Sequence, residues 1–248
     1  MSRIAIVLCD DLGRRISTEF ATYEALYADF LTLAAPGECE FSVFRAHDGE
    51  LPHNISEFDA VLVGGSRAGV YEPHEWIPPL LNMIRTAIQN KVTTLGICFG
   101  HQAIAAALGA EVAPSINGWN LATQTYECRG LGGSPNVEQL SLIAFHQDQV
   151  HTVPEGTSRY LTSAGCAIAG LVGENIFTMQ PHPEFTPDVT SAILNASRGD
   201  RFSESEIDDA IARLESTLSA TRASELFWLA IQAKGKNTSA VAVTSTTE

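Results

Sequence analysis

The sequence predicts an α/β protein: a doubly wound, mostly parallel sheet with helices on both faces, a small antiparallel extension and C-terminal helices. Three observations carry this. Short apolar runs at 4–8, 40–44, 60–63 and 93–97 alternate with helical stretches near 18–33 and 76–89, the order that parallel crossovers require. The chain has 248 residues and is 45% hydrophobic, enough for one substantial core. No apolar run approaches the roughly 20 residues of a membrane span.

The first run, Ile4 to Leu8, reads as a buried strand and not as a signal peptide, because Asp10 and Asp11 follow at once. The run at 60–63 ends in Gly64-Gly65, a glycine turn. The run at 93–97 leads through Gly96-Ile97-Cys98-Phe99-Gly100-His101-Gln102 into the strong helix former 103–108. Right-handed crossovers place that turn at the carboxyl edge of a central strand, where open α/β sheets bind ligands. Residues 112–171 hold shorter strand-like pieces, including 140–145, read as the antiparallel extension that returns the chain to a strand at 175–179. Thr186-Pro187-Asp188 then caps a helix over 189–197. Amphipathic helices are expected over 203–220, with a capping-box pattern at Ser203 to Glu206, and over 222–233. Leu226, Phe227, Trp228 and Ile231 should pack on the core. From Lys234 onward Gly, Asn, Ser and Thr dominate, and a disordered tail is expected. The domain division is therefore 1–198, a helical extension 199–233 and a tail 234–248.

The segment around Cys98 reads as a nucleophile elbow. A reactive side chain on a strained strand-to-helix turn needs small neighbours two residues either side, which Gly96 and Gly100 supply. A thiol suits the site, because the positive end of the helix favours a thiolate. A buried structural cysteine is the competing meaning of that motif alone. The second segment, Gln180-Pro181-His182-Pro183-Glu184-Phe185, places an imidazole and a carboxylate on one short turn stiffened by two prolines. Cys98, His182 and Glu184 have the chemical types for a thiol nucleophile, a proton shuttle and a group that fixes the imidazole tautomer.

Together, these two motifs resemble the class I, triad-type glutamine amidotransferases, over about residues 4–185. The resemblance implies a flavodoxin-like amidotransferase fold and a Cys98, His182, Glu184 triad that cleaves a γ-glutamyl amide through a thioester. It implies an oxyanion hole made by the backbone amides of Gly65 and Phe99. Residues 144–150, with Val153-Pro154, are similar to the S-H-x-D-x-V-x-x-L-P segment of the guanylate-synthesis branch, so His146 is expected at the pocket with Ser66, as a structural or substrate-shell residue and not the base, and Asp148 either braces that loop or touches substrate. Gln102 is expected to help hold the glutamyl end. Pro181 replaces a common aromatic residue, and Ser66 to Tyr71 replaces a G-G-P-G turn. This variant looks most like stand-alone members, some of which are γ-glutamyl peptidases. The leading expectation is thus a γ-glutamyl hydrolase. The alternatives are a glutaminase subunit serving a separate synthetase chain, since some sixty C-terminal residues cannot form a nucleotide-activating domain, and a non-catalytic homologue.

The formal net charge of −14 argues against nucleic acid as a partner. Neither a P-loop nor a G-x-G-x-x-G fingerprint is present, so no nucleotide cofactor is expected. Five cysteines without C-x-x-C spacing argue against a disulfide framework and a zinc site and fit a reducing cytoplasm. Cys9, Cys39, Cys128 and Cys166 read as structural, Cys9 alone ending a strand near the pocket.

Overall fold

Ile4, Ala5, Ile6 and Val7 are all fully buried, as happens in a strand covered on both faces. The computed structural model describes residues 1–130 and 137–233. In chain order the elements are β1 (Ser2–Leu8), α1 (Arg14–Glu19), α2 (Tyr23–Thr32), β2 (Cys39–Arg45), β3 (Ala60–Val63), α3 (Ile77–Gln89), β4 (Thr93–Ile97) and α4 (Phe99–Ala107). They continue with β5 (Val112–Pro114), β6 (Asn120–Cys128), β7 (Glu138–His146), β8 (Asp148–Val150), β9 (Thr157–Thr162), β10 (Gly170–Gly173) and β11 (Ile176–Met179). Three helices follow: α5 (Pro187–Ala196), α6 (Glu204–Ala212) and α7 (Ala220–Gln232).

The main sheet runs β2-β1-β3-β4-β11-β10-β9-β6-β7, and β5 and β8 form a separate small pair. From β2 to β11 every pairing is parallel; from β11 to β7 every pairing is antiparallel. The period of two in a strand splits the core. Ile4, Ile6, Leu62 and Leu95 face α2 and α7, meeting Tyr27, Phe30 and Phe227, while Ala5, Val7, Val61 and Val63 face α3 and α4, meeting Leu80, Ile84 and Ile104. Each such large side chain contributes about 1.5–3 kcal/mol by leaving water.

Register brings distant segments together. Met179 of β11 lies opposite Ile97 of β4, so Cys98 and Gln180 leave the sheet side by side, and the Cys98 amide donates to the Met179 carbonyl at 2.9 Å. The antiparallel half curls back on the same place. Although β7 is the far edge strand, its Ile143 pairs with His182 just beyond β11.

Two helical stretches are shorter than the sequence suggests. The 18–33 stretch is broken between α1 and α2 because the Thr22 hydroxyl accepts the Ala25 amide (3.2 Å) and starts a new helix there. The 203–220 stretch ends at Ala212. Beyond it the chain crosses β6 and β7: Glu215 N–H donates to the Thr123 hydroxyl (2.9 Å) and Ser219 N–H to the Ser141 carbonyl (2.9 Å), bonds that replace helical ones. The capping box at Ser203 and Glu206 is formed. Leu226, Phe227 and Ile231 are buried in the main core, with Trp228 packed against it. The 234–248 tail lies outside the described residues. Among those described, no helix is long and apolar enough to cross a membrane.

Candidate active site

Cys98 caps α4 with φ 52° and ψ −106°, a conformation that a residue with a Cβ adopts only when its surroundings enforce it. They do so from both sides. A Cβ at Gly96 would come within 2.6 Å of the Gly100 carbonyl carbon. A Cβ at Gly100 would collide with the Val63 carbonyl oxygen of β3. The two glycines therefore let α4 start directly against the sheet, with the sulfur at the positive end of the helix. Buried His101 fixes that start, its Nε2–H donating to the Ile168 carbonyl (3.1 Å) and its Nδ1 accepting from the Thr178 hydroxyl (2.7 Å). Burial pushes His101 down to about 3, so this link is neutral.

His182 is held at three points. Its amide donates to the Ile143 carbonyl (2.8 Å), its Nδ1–H donates to Glu184 Oε1 (2.7 Å), and its ring stacks on Phe185 with centroids 4.2 Å apart and planes 4° apart. That leaves Nε2 for Cys98, whose charge acts on the imidazole. Burial alone would push the imidazole down. The negative charges of Cys98 and Glu184, and the hydrogen bond to Glu184, reverse this and hold it well above the usual histidine range. The Glu184 side chain is wholly buried, and its Oε2 has no partner among the described residues. A second carboxylate oxygen left bare strengthens the demand for a charged imidazole beside it.

At the expected oxyanion hole, Phe99 opens α4, so its amide has no partner inside the helix. Gly65 lies against His182 and Cys98: a Cβ there would sit 3.1 Å from His182 Cε1 and 3.8 Å from Cys98 Cβ. Its amide is already engaged, donating to the Tyr27 hydroxyl at 2.7 Å. Tyr27 comes from α2, and no local motif announced it. Its ring also occupies the space that a Cβ on Gly64 would need, at 2.7 Å.

The four substrate-pocket candidates each make at least one hydrogen bond within the protein, while the buried His146 Nε2 has no partner among the described residues. The Ser66 hydroxyl accepts the Ala68 amide (3.1 Å). Gln102, expected to hold the glutamyl end, gives its side-chain amide to the Asp148 carbonyl (3.0 Å) and to Gln180 Oε1 (3.1 Å), linking the start of β8 to the residue after β11. His146 Nδ1–H donates to the Asp148 carbonyl (3.2 Å). Burial pushes its pKa to about 4, with the His182 charge adding to the effect, so His146 stays neutral. Asp148 accepts from the Tyr71 hydroxyl (3.3 Å), and burial raises its carboxyl. The 66–71 loop is pinned by Arg67, whose guanidinium grips Asp10 twice at 2.8 Å. Gln180, buried beside the elbow, was not singled out by its sequence context. No group of three His, Cys, Asp or Glu side chains suited to a metal ion occurs among the described residues.

The family model for glutamine amidotransferase class-I matches residues 32–197. The chain belongs to that family. Among curated relatives, a protein named gamma-glutamyl peptidase 3 of Arabidopsis thaliana is 26% identical over 219 residues, spanning 84% of this chain and 86% of its own. A putative glutamine amidotransferase of Saccharomyces cerevisiae is 30% identical over 162 residues, 61% of this chain and 64% of its own. A solved glutamine amidotransferase of Thermotoga maritima superposes with a TM-score of 0.69 over 94% of this chain and 96% of its own, at 18% identity, which shows the class-I amidotransferase fold.

Proposed function

We propose that this chain is a cysteine hydrolase that removes a γ-glutamyl group from an amide, acting on a peptide or conjugate in a reducing, cytoplasmic setting. The single observation that carries the reading is the buried His182 imidazole, 2.7 Å from buried Glu184 and bordering with Cys98 the same point beside Gly65, with Cys98 at a strained helix start. The Cys98 sulfur attacks the γ-carbonyl carbon, and the carbonyl electron pair moves onto oxygen, facing the Phe99 amide. Collapse of that adduct breaks the C–N bond as His182 gives its proton to the departing amine, leaving a γ-glutamyl thioester. Water then attacks the thioester while His182 takes its proton, releasing glutamate and the thiolate. Glu184 keeps the Nδ1 proton in place throughout, so Nε2 is always the exchanging atom.

The resemblance to a protein named gamma-glutamyl peptidase 3 over most of both chains supports a conjugated substrate over free glutamine. All five cysteines are free in the structure, which supports a reducing compartment. The catalytic unit is taken to run to residue 198, with 199–233 as an extension closing the core. The test is amine release by purified protein from γ-glutamyl dipeptides and from glutamine, with Cys98→Ala as control. Turnover of the dipeptides that is lost in Cys98→Ala is expected. Activity on glutamine alone, and only with an added synthetase, would replace this reading with that of a glutaminase subunit.

A further inference from the structure

The geometry points to the Tyr27 hydroxyl as the second oxyanion donor, with the Gly65 amide acting behind it. This rests on the γ-glutamyl hydrolase reading. Gly65 N–H is directed at the Tyr27 oxygen at 2.7 Å and cannot simultaneously serve a substrate oxyanion without breaking that bond. The phenol thus accepts from the amide, and its own proton has no acceptor among the described residues. A buried donor left bare costs about 1–3 kcal/mol, a penalty that a developing oxyanion would remove. Burial, with the negative charges of Glu184 and Cys98, raises the phenol far above its usual range, so the proton is retained.

Position and rigidity fit the role. The point a Gly65 Cβ would occupy is 3.6 Å from the Tyr27 oxygen, 3.1 Å from His182 Cε1 and 3.8 Å from Cys98 Cβ, so the phenol, the imidazole and the nucleophile border one small volume. The Tyr27 ring is fixed by a column of near-parallel rings. Tyr27 stacks on Tyr23 (5.6 Å, 7°), Tyr23 on Phe185 (6.3 Å, 18°) and Phe185 on His182. Donor and general acid are therefore the two ends of one stack. Donation from Gly65 to the phenol oxygen also makes the O–H a better donor, because successive hydrogen bonds polarise one another. When the sulfur attacks, the electron pair pushed onto the carbonyl oxygen is met by the Tyr27 O–H and the Phe99 N–H; no proton need be transferred, and none is lost when the C–N bond breaks.

The opposing account makes Tyr27 a plug that must leave before Gly65 can work, and Tyr27→Phe separates the two. A donor role predicts that kcat falls at least tenfold, towards the hundredfold typical of a lost oxyanion donor, with KM within about threefold. A plug role predicts unchanged or higher kcat, because the Gly65 amide is freed, and that result overturns the proposal. Two further readings exclude a structural cause. Alkylation of Cys98 by iodoacetamide, which forms no oxyanion, should keep its wild-type rate. Binding of a γ-glutamyl aldehyde analogue, which forms a tetrahedral adduct with the thiol, should weaken at least tenfold. Parallel loss of both would assign Tyr27 to scaffolding and also overturn the proposal. Wild-type protein that released no amine from any γ-glutamyl substrate would sink the hydrolase reading itself, whereas an active wild type matched by an equally active Tyr27→Phe would sink Tyr27 alone.

Discussion

Replacing Glu184 by Gln keeps the size of the side chain and removes its charge. At the observed 2.7 Å, a full charge pair at an effective dielectric near 20 has a gross attraction of about 6 kcal/mol. Part of that is offset by the cost of burying both groups. The amide can also present its NH2 to Nδ1, turning the imidazole to the tautomer in which Nε2 already holds a proton and cannot receive one. For such a loss, kcat is expected to fall about 10³–10⁴-fold, or roughly 4–5.5 kcal/mol, which lies within the gross attraction. The assay is amine release against pH, with thermal melting as the check on folding. Removing the negative partner lowers the His182 pKa, so the alkaline fall in kcat should move to lower pH in Glu184→Gln. Turnover within about threefold of wild type, with an unmoved alkaline limb, would refute the reasoning.

Other outcomes follow from the same coordinates. Gly100→Ala drives a methyl into the Val63 carbonyl, so α4 must lift from β3; a loss of about 1–3 kcal/mol in urea unfolding is expected, together with slower alkylation of Cys98. His101 and His146 are held neutral with pKa values near 3 and 4, below the ordinary 6.5. Between pH 6.5 and about 4 the unfolded chain binds protons that both native groups refuse, so stability should fall as pH falls, by up to about 1.4 kcal/mol per pH unit for each. His101→Gln should flatten the curve measured by unfolding at stepped pH. His182 has the opposite sign: its raised pKa adds stability that is full below pH 6.5 and lost as pH climbs through the folded value. Phe227→Ala should cost about 3–5 kcal/mol by unfolding, because that ring meets Phe30 and Phe177 edge-on at the centre of the core.

The elbow and the His182 turn were legible because their geometry forces residue identity. Only glycine fits at 96 and 100, and the acid follows the base by two positions. The parallel strands were legible for a similar reason, since double burial leaves continuous apolar runs. What escaped depends on partners far along the chain. Tyr27 reaches Gly65 across 38 positions, and Gln102 finds Asp148 and Gln180 across 46 and 78, with nothing local to mark either. A polar residue on a buried helix face looks the same whether it waits for substrate or braces two strands. The helix end at Ala212 was likewise hidden, because the bonds that outcompete the helix come from Thr123 and Ser141.

The side-by-side exit of Cys98 and Gln180 has a consequence for when the thiol acquires its chemistry. His182 and Glu184 lie more than eighty positions downstream and reach it only after β11 has docked beside β4 and Ile143 has gripped the turn. Under the proposed mechanism, a nascent or locally opened chain therefore carries an ordinary cysteine, and the thiol is armed by the last parallel strand to be synthesised.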